Sequence, residues 1–557
     1  MVNRGRSTGC HTCKQRRVKC DEAKPECRTC QRLGLCCPGY CTRKYAKIRF
    51  QDETHKFAVL EPVPRVRRGA SFDMARLDGD APVLFYLTHY AGMGRDMGST
   101  RGFFELLLPA YTREPAGSAL SLAVSTLAAE VYAMWQQDPT SFRSPRHSYH
   151  RAISRLRTAT QHPVERGKPA TVLAALVLQT YENVCAIYGL RWASSTHHAG
   201  AASLLRCVES DDTDETVRDH LRRFMLHTEV SKAMRQQTPV DNAALSWINA
   251  VEDGLDNDNP SAALDVIAIS LAKLQAACAH HDGHSSLTPP PELVLQRRMA
   301  EAKKIETALL AWATLVPDHW TPVRLKSGKS FDSSISSFHF TCETYPTCQI
   351  ASIWNLWRCQ RLLLAKITFG ILDLAKLLRC SDTVHGIDPV EIPTRQSCQV
   401  AIQEMIDGMC YSIPFYLGNR TTRCSLEDFT NSSVAIPGSP LPTTNERIGI
   451  DNFTSTTWHD AYRRHIIAQG PWRAMHPLSR LMTLFSEDKS DVYVKALHPG
   501  QREWIRDQWL RVAVLLHLPQ SSQDAADEHG PPSPSADARA ESLAFEMRKG
   551  AILMSGP

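Results

Sequence analysis

Long apolar runs are what this 557-residue sequence offers least. Its most apolar stretch reads as residues 344 to 378, and there only 14 residues, Thr344 to Trp357, pass before Arg358, Arg361, Lys366, Asp373 and Lys376 intervene. A bilayer helix needs ~20 apolar residues, so this stretch predicts one or two buried core helices in a soluble chain without membrane partners. Basic residues at the start are followed by no apolar segment, which argues against a secretory signal. Strand-like alternation is scarce, no heptad repeat is sustained, and no short-period repeat points to a solenoid. Catalytic signatures are missing too. There is no phosphate-loop lysine, no G-x-S-x-G and no H-E-x-x-H, and the glycine run from Gly92 to Gly98 misses the dinucleotide fingerprint by one residue. The expectation is a chain that is not an enzyme.

Of the 18 cysteines, ten lie scattered from Cys185 to Cys424 without paired spacing, as reduced, mostly buried side chains do. The N-terminal ones are ordered differently. Cys10, Cys13, Cys20, Cys27, Cys30 and Cys37 follow a C-x2-C-x6-C pattern twice over. Six thiolates exceed the four that one tetrahedral zinc takes and fall short of the eight that two separate ions need. Two ions sharing two sulfurs resolve the count. Cys36 offers an alternative register to Cys37, although the Pro-Gly-Tyr that follows favours Cys37. Cys41 reads as a free thiol.

Basic charge is concentrated on the same segment. Residues 1–50 hold 13 Lys or Arg against 3 acids, a balance of +10, whereas the other 507 residues hold 51 against 55. Six thiolates with two zinc ions leave the segment near about +8, the footprint of a polyanion-binding module. About thirty residues cannot bury enough apolar surface to fold alone, so metal must supply most of the folding free energy, on the order of 10 kcal/mol. After each C-x2-C pair the composition suits a short helix, and the first would carry Lys14, Arg16, Arg17 and Lys19 on its exposed sides. Pro25 fits the loop between the halves.

The run from Gly9 through Cys20 to Glu22, the Lys24-Pro25-Glu26-Cys27-Arg28-Thr29-Cys30 segment and the exit through Gly34-Leu35-Cys36-Cys37-Pro38-Gly39-Tyr40 resemble the DNA-binding segment of the fungal six-cysteine binuclear zinc cluster transcription factors. The resemblance implies two zinc ions, with Cys10 and Cys27 bridging and the other four cysteines terminal. It also implies that Arg16 and Arg17 read bases in the major groove of C-G-G triplets while Lys14 and Lys19 meet phosphates. A nuclear regulator of RNA polymerase II transcription, working with the transcription machinery on double-stranded DNA and commonly on metabolic or secondary-metabolite genes, is the function so implied. The alternative is a zinc-stabilised scaffold that binds protein or RNA.

The remainder reads as all-α: a basic tail (1–9), the cluster module (10–40), a linker (41–75), a large irregular helical domain (76–518), and a low-complexity tail with a short terminal helix (519–557). Leu120, Val124, Leu127, Val131 and Trp135, and later Ile505, Trp509, Val512 and Leu516, form apolar stripes at the helical period. Further helices are expected near 81–92, 146–160, 169–186, 196–208, 214–236, 261–280, 291–315, 347–379 and 395–411. Polar stretches at 252–261, 284–292, 419–457 and 519–540 read as loops. His280, His281, Asp282 and His284 read as a hydrophilic helix end. Phrases around His197–Leu205, Gly408–Phe415 and Gln501–Ile505 resemble the helical regulatory domain that often accompanies fungal zinc clusters. With no coiled coil in view, a homodimer would form through that domain.

Overall fold

A computed structural model of the chain describes residues 9–21, 23–37, 80–92, 102–136, 147–189, 193–208, 212–252, 259–283, 292–379, 394–438, 455–487, 492–518 and 538–544. The linker at 41–75 and most of both tails lie outside them. The chain divides into two compact units, Met1–Ala70 and Ser71–Pro557.

In the first unit, α1 (His11–Gln15) and α2 (Arg28–Arg32) each follow the first cysteine of a half. The second unit contains α3 (Ala81–Tyr86, continued by a π turn over Leu87–Gly92), α4 (Phe104–Arg113), α5 (Ala119–Trp135), α6 (His147–Gln161), α7 (Pro163–Arg166), α8 (Pro169–Tyr188) and α9 (Thr196–Leu205). There follow α10 (Asp212–Gln236), α11 (Asn242–Glu252), α12 (Pro260–Gly283) and α13 (Glu292–Leu315). A hairpin of β1 (Val323–Lys326) and β2 (Thr341–Thr344) precedes α14 (Cys348–Arg379), α15 (Arg395–Leu417), α16 (Ser455–Glu487), α17 (Val492–Lys495) and α18 (Gln501–Leu515). Residues 538–544 are helical as well.

Local chemistry explains many of the boundaries. The Ser118 hydroxyl caps α5, Pro169 opens α8, and Thr394 and Ser397 form a capping box at the start of α15. Both sequence-derived stripes face the interior: Leu120, Val124, Leu127, Val131 and Trp135 are buried on α5, and Ile505, Trp509, Val512 and Leu516 on or just after α18. The indole N–H groups of Trp312, Trp354, Trp357 and Trp509 donate to the carbonyls of Pro260, Trp320, Leu309 and Ala540. Burial therefore leaves none of these donors unpaired.

The antiparallel hairpin, with Val323 opposite Thr344 and Lys326 opposite Thr341, places β2 against α15. β2 delivers Glu343 into a buried polar network. Its carboxylate accepts from Arg358 at 2.5 Å and from the Tyr345 hydroxyl at 2.8 Å. Arg358 also donates to Asn355, and Asn355 to Ser412. Burial alone would raise the Glu343 pKa, but the charge of Arg358 and the bonds from Tyr345 and Arg324 outweigh it and hold the carboxyl below its ordinary range. Gly408 on α15 makes room for this guanidinium, since a Cβ there would stand 2.7 Å from Arg358 Nε.

Three expectations need correction. α16, 33 residues long, includes Pro471 and Pro477 and was concealed in the sequence by them; Gly470 lets it approach α15 so closely that a Cβ would lie 1.9 Å from Tyr416 O. α4 and α11 likewise add helices, the first containing Pro109. Finally, among the described residues the helical windows apolar enough to cross a membrane do not lie in 344–378. Pro169–Tyr188 and Pro260–Ala279 reach membrane-spanning length and apolarity by composition, and both pack on protein neighbours, α8 on α5 and α9, α12 on α10 and α13.

Candidate metal centre and nucleic-acid interface

Each half of the first unit is built the same way. The sulfur of the first cysteine accepts the amide of the second: Cys13 N donates to Cys10 Sγ at 3.4 Å, and Cys30 N to Cys27 Sγ at 3.3 Å. A helix of about one turn follows, and its end closes with an amide reaching back five residues. Val18 N donates to Cys13 O at 3.1 Å, and Leu35 N to Cys30 O at 3.0 Å. Such a closure requires a left-handed residue just before the donor. In the second half this is Gly34, φ +61°; in the first it is Arg17, φ +55°.

Superposed by register, Arg17 stands where the second half has glycine. A side chain there costs about 1 kcal/mol relative to glycine. The rest of the register diverges as sharply. Lys14, Gln15, Arg16, Arg17, Val18 and Lys19 in the first half correspond to Gln31, Arg32, Leu33, Gly34, Leu35 and Cys36 in the second. Arg16, Arg17 and Lys19 are exposed; Lys14 lies within α1, its side chain outside the described residues.

Two cross-ties join the halves. The Asp21 carboxylate, directly after Cys20, accepts the amides of Arg28 and Thr29, each at 3.2 Å, and so holds the start of α2. Burial works against the Asp21 anion, but these bonds outweigh it and lower its pKa. In return, the Thr12 hydroxyl on α1 donates to Cys36 O at 3.0 Å. Pro25 sits in the intervening loop, as the sequence suggested.

The six sulfurs fall into two overlapping groups of four. Cys10, Cys13, Cys20 and Cys27 form one; Cys10, Cys27, Cys30 and Cys37 form the other, with all sulfurs of a group within 4.8 Å of one another. Cys10 and Cys27, the first cysteine of each half, belong to both. Sulfur separations of 3.6 Å for Cys10–Cys27 and 3.7 Å for Cys13–Cys27 are near the edge of about 3.8 Å expected of a tetrahedron with Zn–S bonds of ~2.3 Å. Cys37 is buried within its group, whereas Cys36 is exposed.

Burial and crowding by neighbouring sulfurs push the thiols of Cys13, Cys27 and Cys30 up to about 12, so as bare thiols they keep their protons at neutral pH. Two dications are the charge that reverses this, each thiolate bound releasing one proton. The donor set therefore fits a pair of zinc ions in number, chemistry and spacing.

Residues 8–46 match the fungal Zn(2)-Cys(6) binuclear cluster domain. That domain binds two zinc ions. Over 41 residues the chain is 61% identical to the pestheic acid cluster transcriptional regulator 3 of Pestalotiopsis fici, covering 7% of each protein. It is 62% identical over 37 residues, 6% of each, to the aspercryptin biosynthesis cluster-specific transcription regulator atnN of Emericella nidulans. White-opaque regulator 2 of Candida albicans is 50% identical over 40 residues, 7% of this chain and 9% of that one. The chain thus aligns with less than a tenth of the length of these relatives. No solved structure matches.

Sequence reasoning missed the left-handed backbone of Arg17 and the cross-ties from Asp21 and Thr12. Aligning the two cysteine repeats offers a signal for the first, because it sets Arg17 against Gly34. Neither cross-tie has a comparable signature.

Proposed function

We propose that this chain, which carries a fungal-type binuclear zinc cluster domain, is a sequence-specific DNA-binding regulator of RNA polymerase II transcription acting in the nucleus. Cys10 and Cys27 would bridge the two ions, with Cys13 and Cys20 completing one site and Cys30 and Cys37 the other. Zinc supplies the positive charge that keeps six clustered sulfurs ionised. What the residues do then follows from their placement. Asp21 and Thr12 hold the halves in register, and the closed end of α1 fixes the direction in which Arg16 and Arg17 leave the backbone.

Each arginine can bond guanine O6 and N7 in the major groove, a pairing worth ~1–3 kcal/mol of discrimination, and C-G-G triplets present such guanines. Lys14 and Lys19 would neutralise phosphates and set affinity without sequence preference. The observation that carries this reading is the asymmetry between halves. One backbone is used twice, and only the first copy bears four basic residues between its second and third cysteines, one of them in a glycine position.

The helical unit serves in this reading as a regulatory domain that pairs two copies and contacts the transcription machinery, with no enzymatic role. Names of two of the relatives refer to a pestheic acid cluster and an aspercryptin biosynthesis cluster, and we place this chain's targets among secondary-metabolite genes on that basis. Selection from a random duplex library by the full-length, zinc-loaded protein tests the proposal. Recovery of sites containing a C-G-G triplet supports it; recovery of no consensus, or preference for RNA or acidic proteins, overturns it.

A further inference from the structure

Val18 lies in the middle of the basic run and is 43% exposed, with exposed Arg17 on one side and exposed Lys19 on the other. Its amide donates to Cys13 O, which ties its backbone to one of the clustered cysteines. Among the described residues, Val18 is not one of the side chains packed on the buried cysteine cluster. Its register partner Leu35 has the same tie to Cys30 O and is 38% exposed, but its neighbours are Gly34 and Cys36, neither of them charged. The two positions therefore share a backbone and an apolar side chain and differ in the charge around them.

Resting on the DNA-binding reading above, we infer that Val18 is a specificity-determining residue that packs against the C5 methyl group of a pyrimidine beside the bases read by the arginines. A surface that carries Arg16, Arg17 and Lys19 will be drawn against a polyanion, and the apolar group that the major groove presents is the methyl at pyrimidine C5. Thymine has it by nature; cytosine acquires it on 5-methylation. One side chain would thus favour thymine at one position and respond to cytosine methylation there. Leu35, without basic neighbours, has no such role.

The test uses the full-length zinc-loaded protein and a duplex taken from its selected sites. Each thymine is replaced in turn by deoxyuridine, which removes only the methyl, and each cytosine by 5-methylcytosine, which only adds it. At one position the wild type should lose roughly fourfold in affinity on removal, or gain as much on addition, the worth of one buried methyl. Val18→Ala should be indifferent at that position, Val18→Ile should keep the discrimination, and Leu35→Ala should behave as wild type. Two zinc ions per chain in each variant certify the fold.

The inference is overturned if sequence-specific binding is intact and no position responds to the methyl. It is equally overturned if Val18→Ala discriminates as wild type does, or if Leu35→Ala loses discrimination to the same degree. Absence of any sequence preference in the wild type is a separate result, which removes the function proposed above and this inference with it.

Discussion

The two halves of the cysteine module share a plan and differ in what they display. Both place a sulfur under the next cysteine's amide, both wind about one helical turn, and both end through a left-handed residue. The second half fills that left-handed position with Gly34, the residue that fits it without strain; a Cβ there would meet nothing within 4 Å. The first half fills it with Arg17. Since the backbone is the same, the frame does not require the arginine, and in the DNA-binding reading proposed above this local cost falls on the half that meets the duplex. The two halves thus share a backbone and differ in the side chains they carry at the helix end.

The comparison is broken most completely by removing what the halves share. Chelating zinc should unfold residues 9–37 and abolish DNA binding, a loss on the order of 10 kcal/mol of folding free energy. Elemental analysis should find two ions before and none after, while the thermal transition of the helical unit, a separate compact unit, stays in place. The helical unit offers the contrasting case, held by packing and a buried ion pair. Glu343→Gln leaves Arg358 buried without its counter-charge and should cost about 3–5 kcal/mol in denaturant unfolding without altering zinc content.

Because the Glu343 pKa is depressed on folding, the stability it contributes is fully present above its unfolded value near 4.5 and is lost as pH falls through the lower, folded value. Unfolding midpoints measured from pH 6 down to pH 3 should fall less steeply in the Gln variant.

Smaller substitutions sharpen the contrast between halves. Arg17→Ala should reduce discrimination at one base position by ~1–3 kcal/mol in competition binding, whereas Arg32→Ala, one residue before Gly34's predecessor in the other half, should leave it unchanged. Gly34→Ala should cost about 1 kcal/mol of module stability with no change in base preference, as read by zinc competition titration. Lys19→Ala should weaken specific and random DNA alike and lower the slope of log affinity against log salt by about 0.9.

Much of the site was legible because its chemistry is sequential. Cysteine spacing, a basic run between cysteines and a proline in the connecting loop are all read within a few residues; in the structure Cys37 is buried among the clustered sulfurs and Cys36 is exposed. The helices with clean stripes, α5 and α18, were legible for the same reason. α16 was not, because Pro471, Pro477 and Gly470 read as breakers until α15 is placed beside it. The Gly470–Tyr416 approach is a tertiary contact, and it justifies a residue that local propensity disfavours. Asp21 belongs with these: its partners, Arg28 and Thr29, are seven and eight residues away and meet it only once the halves fold together.

By itself the sequence determined the cysteine spacing, the location of positive charge and the helical class of the remainder, since these depend on residue type at short spacing. Tertiary structure alone decided that Asp21 and Thr12 tie the two halves, that Arg17 occupies a glycine's conformation, that Val18 stands exposed among cations, and that Glu343 and Arg358 pair inside the helical unit. All four depend on distances or backbone angles set by segments that meet only when the chain folds.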